Sequence, residues 1–443
     1  MSAAALPRSP RLPRLLISSQ FVFNVGFFAV LPYLAGHLSG TLGLAGWLVG
    51  LVLGLRTFSQ QGLFVVGGAL TDRYGARPVV LAGCALRVAG FGWLGFAGAT
   101  WSVIGAVLLV GFAAALFSPA VETEIARQAV RHEEETGLPR TRMLARFSAG
   151  GQAGALIGPV LGALLLYGGF RAACLTGAAV FAAVTVAHWR LLPGRPPAEI
   201  EEHGRNGEDR QDGEDGRGHV PVRDGVRRLL RNRAFLGLCL AYSTYLLAYN
   251  QLYLALPGEL HRATGSQAAL GWLFALSSVL VVAGQVPLSR WAAERLSWRG
   301  CVLGGLLLIA ASFAAAGALL PLGGLWSSLA FVVLLTLGQM LVVPATRAWL
   351  PDLVGDRGLG LFTGALSSVS GLVALAGGAP AGALLEMGGA LPWLVLAAVP
   401  LAGLALVPRT VRTSRTAAPS AAPGAPSASG ASGAPGAPGT PVR

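Results

Sequence analysis

Lysine is missing from this chain of 443 residues, so all 33 basic side chains are arginine. Charge of either sign is scarce, at 12% of residues against 53% hydrophobic. That balance excludes a soluble two-domain protein of this length. Cysteine is sparse too: Cys84, Cys174, Cys239 and Cys301 lack metal-site spacing and lie in separate apolar runs, so they give no disulfide framework and read as packing residues. No G-x-x-x-x-G-K-[ST] loop is present, so ATP does not drive work through this chain by itself. A G-x-S-x-G elbow, an H-E-x-x-H pair and a Cys/His cluster are missing as well, which leaves no enzyme constellation, no metal and no cofactor to expect. Basic patches interleaved with aromatics are lacking, and no nucleic-acid partner is expected despite a net charge of +13.

Long apolar runs are what the chain has instead. Each is about 20 residues, the length that crosses a bilayer. Twelve are read, at 15–36, 44–67, 79–98, 101–121, 147–166, 172–192, 234–256, 269–289, 300–320, 326–346, 361–385 and 391–408. They predict an all-α integral membrane protein with the lipid bilayer as its solvent. If the N-terminus is cytoplasmic, all but four of the 33 arginines fall on the cytoplasmic side. Arg171 and Arg262 then fall outside, while Arg56 and Arg87 lie within spans. The opposite orientation would reverse this positive-inside bias. The basic balance thus reports topology, with both termini cytoplasmic in a plasma (inner) membrane. Arg8, Arg11 and Arg14 precede the first run, which is longer than a signal-peptide core and reads as a retained helix.

The runs divide six and six. Residues 1–14 read as a cytoplasmic N-terminus, 15–192 as one six-helix bundle and 234–408 as a second. Between them, 193–233 carries ten acids or bases from Glu199 to Asp215 and reads as a flexible cytoplasmic linker. Residues 409–443, rich in Pro, Ala, Gly and Ser, read as a disordered tail. The halves echo each other: Pro119-Ala120 matches Pro344-Ala345, and Gly158-Pro159 matches Ala379-Pro380. Such an echo favours a duplicated bundle whose halves rock about a site at the membrane midplane.

Between the second and third runs lies Gly68-Ala69-Leu70-Thr71-Asp72-Arg73-Tyr74-Gly75-Ala76-Arg77-Pro78. Two membrane helices joined so tightly must be antiparallel neighbours. Gly75 supplies the turn, Asp72 favours a helix N-terminus, and Arg73 and Arg77 hold the turn on one side. The pattern resembles the loop between helices 2 and 3 of the major facilitator superfamily of secondary transporters. That resemblance implies twelve transmembrane helices in two pseudo-symmetric six-helix bundles. It also implies a cytoplasmic gate formed by Gly68, Asp72, Arg73, Gly75 and Arg77, with Asp72 engaging helix 11 near Gly360.

Helix 5 carries Gly150, Gly151, Gly154, Gly158-Pro159 and Gly162. Small residues four apart allow close helix approach, and Pro159 removes a backbone hydrogen bond, so a packing seam is one reading. The series also resembles the superfamily's antiporter motif, which implies a hinge at Gly154, Gly158, Pro159 and Gly162 and export rather than uptake. Gly54-Leu55-Arg56, Gln60-Gln61-Gly62 and Arg87-Val88-Ala89-Gly90-Phe91 look like the MdtH-type branch of drug:proton antiporters. The similarity runs over nearly all of 15–408.

Arg56 and Arg87 stand out on physical grounds, because a mid-span arginine costs a few kcal/mol and must face a bundle interior or a wet cavity. Gln60 shares the Arg56 helix face at i+4. Helix 1 contributes Asn24. In helix 7, Tyr242, Tyr245, Tyr249 and Tyr253 form one stripe flanked by Asn250. Aromatic packing and a substrate-cavity wall are competing readings of the stripe, as packing and cavity are for the two arginines. No acid lies within any of the twelve runs. Glu122, at the end of helix 4, and His188, near the end of helix 6, are therefore the candidates for proton coupling.

These readings predict a secondary transporter that exports small lipophilic compounds or drugs by alternating access, coupled to protons, and by resemblance a monomer. Two alternatives remain beside it: an importer or facilitator of a nutrient or anionic solute, and a non-transporting membrane receptor or scaffold.

Overall fold

A computed structural model of the chain describes residues 11–138, 140–192, 229, 231–354 and 359–409. Most of the expected N-terminus, linker and tail lies outside these residues. Among the described residues there is no strand. Backbone N–H and C=O groups have no water to bond in hydrocarbon, so apolar runs of this length must satisfy them internally as helices.

The first half contains α1 (Arg11–Phe28), α2 (Leu31–Gly36), α3 (Gly46–Gln61), α4 (Phe64–Tyr74), α5 (Ala76–Leu94), α6 (Thr100–Thr136), α7 (Arg140–Leu165) and α8 (Gly169–Leu191). The second contains α9 (Arg233–Tyr249), α10 (Gln251–Thr264), α11 (Leu270–Arg295), α12 (Trp298–Leu319), α13 (Trp326–Val354), α14 (Leu359–Glu386) and α15 (Leu391–Leu406). Nine helical stretches among the described residues are long and apolar enough to cross a membrane. One of these, Arg142–Leu191, holds both α7 and α8, turned at Gly169 with φ 83°. Adding the α9–α10 pair and the shorter α15 accounts for all twelve runs.

Three runs are broken rather than continuous. The first breaks between Phe28 and Leu31, the second at Gly62-Leu63 and the seventh at Asn250. Helix α6 departs further from expectation. Its 37 residues span about 55 Å, well beyond a hydrocarbon core of roughly 30 Å. The stretch after Glu122 is rich in Ala, Arg, Gln and Glu, all good helix formers, so the helix continues where the apolar run ends. Several hydroxyls inside the spans are satisfied along their own helices: Thr71 donates to Gly67 O, Thr185 to Phe181 O and Thr336 to Val332 O.

The packing repeats from half to half. In the first, α5 lies between α6 and α8 while α1 runs along α7; in the second, α12 lies between α13 and α15 while α9 runs along α14. Contacts between the halves obey the same symmetry, with α3 against α14, α11 against α7, and α2 meeting α10. The α3–α14 seam is backbone on backbone. A Cβ added to Gly50 would collide with the Gly378 carbonyl, and one added to Gly382 with the Gly46 carbonyl. Such contact requires glycine on both sides.

Candidate functional site

The bundle has two ends, named here by Asp72 and Gly46. At the Gly46 end the halves are joined. The Glu386 carboxylate accepts the Gly46 backbone N–H. The Tyr33 hydroxyl donates to Pro159 O at 2.5 Å, where Gly271 of α11 also packs. Arg262 pairs with Glu259 on the same face of α10. Burial pushes the Glu259 carboxyl up from its ordinary range, and the Arg262 guanidinium partly offsets this.

At the Asp72 end a cavity of about 1210 Å³ opens between α4, α6 and the start of α14. Gly68, Asp72, Glu122, Arg131, Leu361 and Thr363 are on its wall. A second cavity, of about 300 Å³, lies deeper between the halves. Its polar wall is made of amides and hydroxyls: Gln20 and Asn24 from α1, Ser148 and Gln152 from α7, Tyr249 from α9, Ser277 and Ser278 from α11, and Gln339 from α13. Phe28, Phe147 and Phe274 supply apolar surface. Glu122 lines both cavities, and among the described residues it is the one carboxylate on the wall of the deeper one. Arg347 of α13 interacts electrostatically with Glu122 and with Tyr242 and Tyr245.

The tyrosine stripe is a ladder of rings. Tyr242 to Tyr245, Tyr245 to Tyr249 and Tyr249 to Tyr253 lie 5.2, 6.0 and 6.0 Å apart between centroids, and Phe274 continues it at 5.4 Å. Tyr249 faces the central cavity, whereas Tyr245 and Tyr253 are 5% and 4% exposed and pack. Asn250, at the break in the helix, is buried and accepts a hydrogen bond at 3.0 Å from Thr57 of α3 in the other half.

Arg56 is 7% and Arg87 1% exposed, and neither touches a carboxylate among the described residues. Arg56 Nη2 donates to Gln60 Oε1 at 2.6 Å, and its guanidinium lies over Phe27 at 4.9 Å and Tyr253 at 5.8 Å. Arg87 departs from the expected cavity position. It is caged in the first half, with its guanidinium over Phe23, Phe27, Phe91 and Phe181 at 4.4 to 5.8 Å. Its remaining contact is a long one, 3.4 Å from Nη2 to Val110 O. A mid-bilayer arginine costs about 3 kcal/mol on an insertion scale. A desolvated cation–π contact returns up to about 2 kcal/mol, so several rings can hold such a charge in place. His188 is likewise away from both cavities. It is fully buried, with Nδ1 2.9 Å from Val184 O and its ring in a T-shaped contact with Phe117.

The family model of the Major Facilitator Superfamily matches residues 16–258. The chain belongs to that superfamily. It is 36% identical over 397 residues to an uncharacterized MFS-type transporter, Rv0849, of Mycobacterium tuberculosis, covering 87% of this chain and 89% of the relative. The multidrug resistance protein MdtH of Salmonella typhimurium is 30% identical over 390 residues, covering 86% and 89%. Among solved structures, the peptide transporter POT in complex with sulfate superposes with a TM-score of 0.72 at 16% identity, over 90% of this chain and 93% of that one. A POT family transporter, PepTSo, gives 0.72 at 14% identity, over 90% and 97%. These structures share the superfamily fold. The protein is a multi-pass membrane transporter, not an enzyme.

Within the superfamily fold the expected gate residues separate. Gly68 and Asp72 face the large cavity together with the first turns of α14, the helix that Gly360 helps to open. Gly75 turns the chain at φ 83°. Arg77 reaches the last turn of α8 instead, where Nη2 donates to Trp189 O at 2.8 Å, and Arg73 lies over Tyr74. The glycines of α7 abut α1. A Cβ on Gly154 would meet Asn24 Cβ at 2.7 Å, one on Gly158 would meet Phe28 Cβ at 2.7 Å, and one on Gly162 would strike Ala29 O. Gln152 and Gln339, each inside an apolar run, also stand on the central wall. An amide inside an apolar run carries the same physical signal as Arg56, at lower cost, and marks them equally.

Proposed function

We propose that this transporter exports small lipophilic compounds by alternating access, in exchange for protons. One observation carries the reading: the central cavity and the large cavity at the Asp72 end share Glu122, while at the opposite end Glu386 bonds Gly46 across the halves and Gly271 packs on Tyr33 and Pro159. The arginine bias supports placing the Asp72 end in the cytoplasm, so this conformer would be the one that loads from inside. Aromatic rings beside amides suit a small, largely apolar compound with a few hydrogen-bonding groups.

In this reading Glu122 is the group that gains and loses a proton, with Arg347 as its nearby cation. Asn24 and Tyr249 contact the compound, with Tyr242, Tyr245, Tyr253 and Asn250 supporting the wall. Asp72 acts at the cytoplasmic gate, and the α7 glycines let α1 and α7 move as a pair about Pro159. The protein works as a monomer in the inner membrane with both termini in the cytoplasm. Similarity to the multidrug resistance protein MdtH supports the substrate class.

The test is flux in proteoliposomes or everted vesicles with an imposed pH gradient, in the wild type and Glu122→Gln. Proton-driven accumulation that disappears in Glu122→Gln supports the reading. Uptake in the opposite direction would replace it with import of an anionic solute, a reading favoured by the two buried arginines.

A further inference from the structure

We infer that the compound handled at the central cavity carries an anionic group, and that Arg56 is the residue which reads it. The inference rests on the transport reading above and names its substrate class: aromatic monoanions, such as aromatic carboxylates.

Phe27 lies between two guanidinium groups, 4.9 Å from Arg56 and 5.1 Å from Arg87. Rings over the face of a guanidinium offset its charge, but its N–H donors lie in the plane, where a stacked ring cannot accept them. One in-plane donor of Arg56 is spent on Gln60 and one of Arg87, weakly, on Val110 O. Arg56 Nε and Arg87 Nε and Nη1 are buried without a partner. A purely structural arginine would have these donors matched by carbonyls or a carboxylate, since unmade hydrogen bonds at a charged group are expensive.

Charge balance points the same way. Arg56 has no carboxylate partner among the described residues, and Glu122, the carboxylate on the cavity wall, already interacts with Arg347. An uncompensated cation close behind the wall favours an anion and opposes a lipophilic cation. Arg56 is one ring behind the cavity wall. Its guanidinium lies over Tyr253 at 5.8 Å, Tyr253 meets Tyr249 in a T-shaped pair, and Tyr249 lines the cavity. The Arg56–Tyr253 and Thr57–Asn250 contacts both join opposite halves, so the motion that separates the halves there also uncovers the guanidinium. An aromatic anion would lay its ring on the tyrosine ladder and turn its charged group to the free Nε–H.

Three probes with one ring system separate charge from shape: 1-naphthoate, 1-naphthamide and 1-naphthylmethylammonium. Binding is measured on the purified full-length protein by tryptophan fluorescence and thermal shift. Naphthoate is expected to bind at least about tenfold tighter than the ammonium. Arg56→Gln should remove that preference while changing naphthamide affinity less than about twofold, and Arg56→Lys should keep part of it, which controls for folding. Equal or tighter binding of the ammonium overturns the inference, as does an unchanged order in Arg56→Gln or the binding of none of the three. Since binding needs no flux, naphthoate bound in this pattern but never exported would sink the exporter reading alone. Export of cations that ignores Arg56 would sink this inference alone.

Discussion

The Glu386 carboxylate of α14 accepts the backbone N–H of Gly46, the residue that opens α3 in the opposite half. At the other end of the same pair of runs, Asp72 in the last turn of α4 shares a cavity with the first turns of α14. Each run thus ends in a carboxylate set toward the start of its antiparallel partner, where a helix dipole favours negative charge. Glu386→Gln keeps an acceptor but removes the charge, and such charge–dipole contacts are worth about 0.3–1 kcal/mol. The population opened at the Gly46 end should rise about two- to fivefold, as read by spin-label distances between the α2–α3 and α14–α15 connections. No change in that distance distribution would remove Glu386 from the closure.

Gly50→Ala and Gly378→Ala should each lower the thermal stability of the purified protein, by about 1–3 kcal/mol, because the added methyl meets backbone that has no rotamer to change. Gly92→Ala is the control. Nothing lies within 4 Å of its added Cβ, and the helix continues through it. Equal melting temperatures for Gly50→Ala and Gly92→Ala would show that the halves are not in backbone contact there.

Fold and site were legible to different depths. The turn at Gly75, the twelve runs and the tyrosine ladder follow from local spacing: a glycine at positive φ, apolar length, and four tyrosines on one helix face. The Arg87 cage did not follow, because Phe23 and Phe181 come from helices 64 and 94 positions away in the chain. The break at Asn250 carries no proline or glycine to announce it. Glu386 looked like an ordinary helix end, since its partner Gly46 is 340 positions distant. Periodicity fixes which face a residue occupies, whereas its neighbour depends on how antiparallel helices pair.

Removing Glu122 should separate binding from coupling. Glu122→Gln keeps the shape of both cavities and is expected to bind substrate within about threefold of wild type while losing its response to an imposed pH gradient. Counterflow exchange with no gradient measures the surviving half-reaction. Loss of counterflow along with gradient-driven transport would assign Glu122 to binding instead.

Tyr249→Leu and Gln152→Leu probe the two chemistries of the central wall. An aromatic pair is worth about 0.5–1.5 kcal/mol beyond its area, and a side-chain hydrogen bond about the same. Each variant should therefore weaken binding of an aromatic substrate by about three- to tenfold. Tyr242→Leu, on the same ladder but off the cavity, should change affinity less than about twofold in the same titration.

Phe23 and Phe27 belong to α1, which is synthesised before α3 and α5, where Arg56 and Arg87 lie. Phe181 and Tyr253, which complete the two cages, are made much later. During biogenesis the arginines therefore enter the bilayer with α1 as their main available escort. Phe23→Ala combined with Phe27→Ala should lower the fraction of chains that integrate α3 and α5, measured by protease protection of the nascent protein. The aromatic face of α1 is a condition for assembly before it is part of any transport pathway.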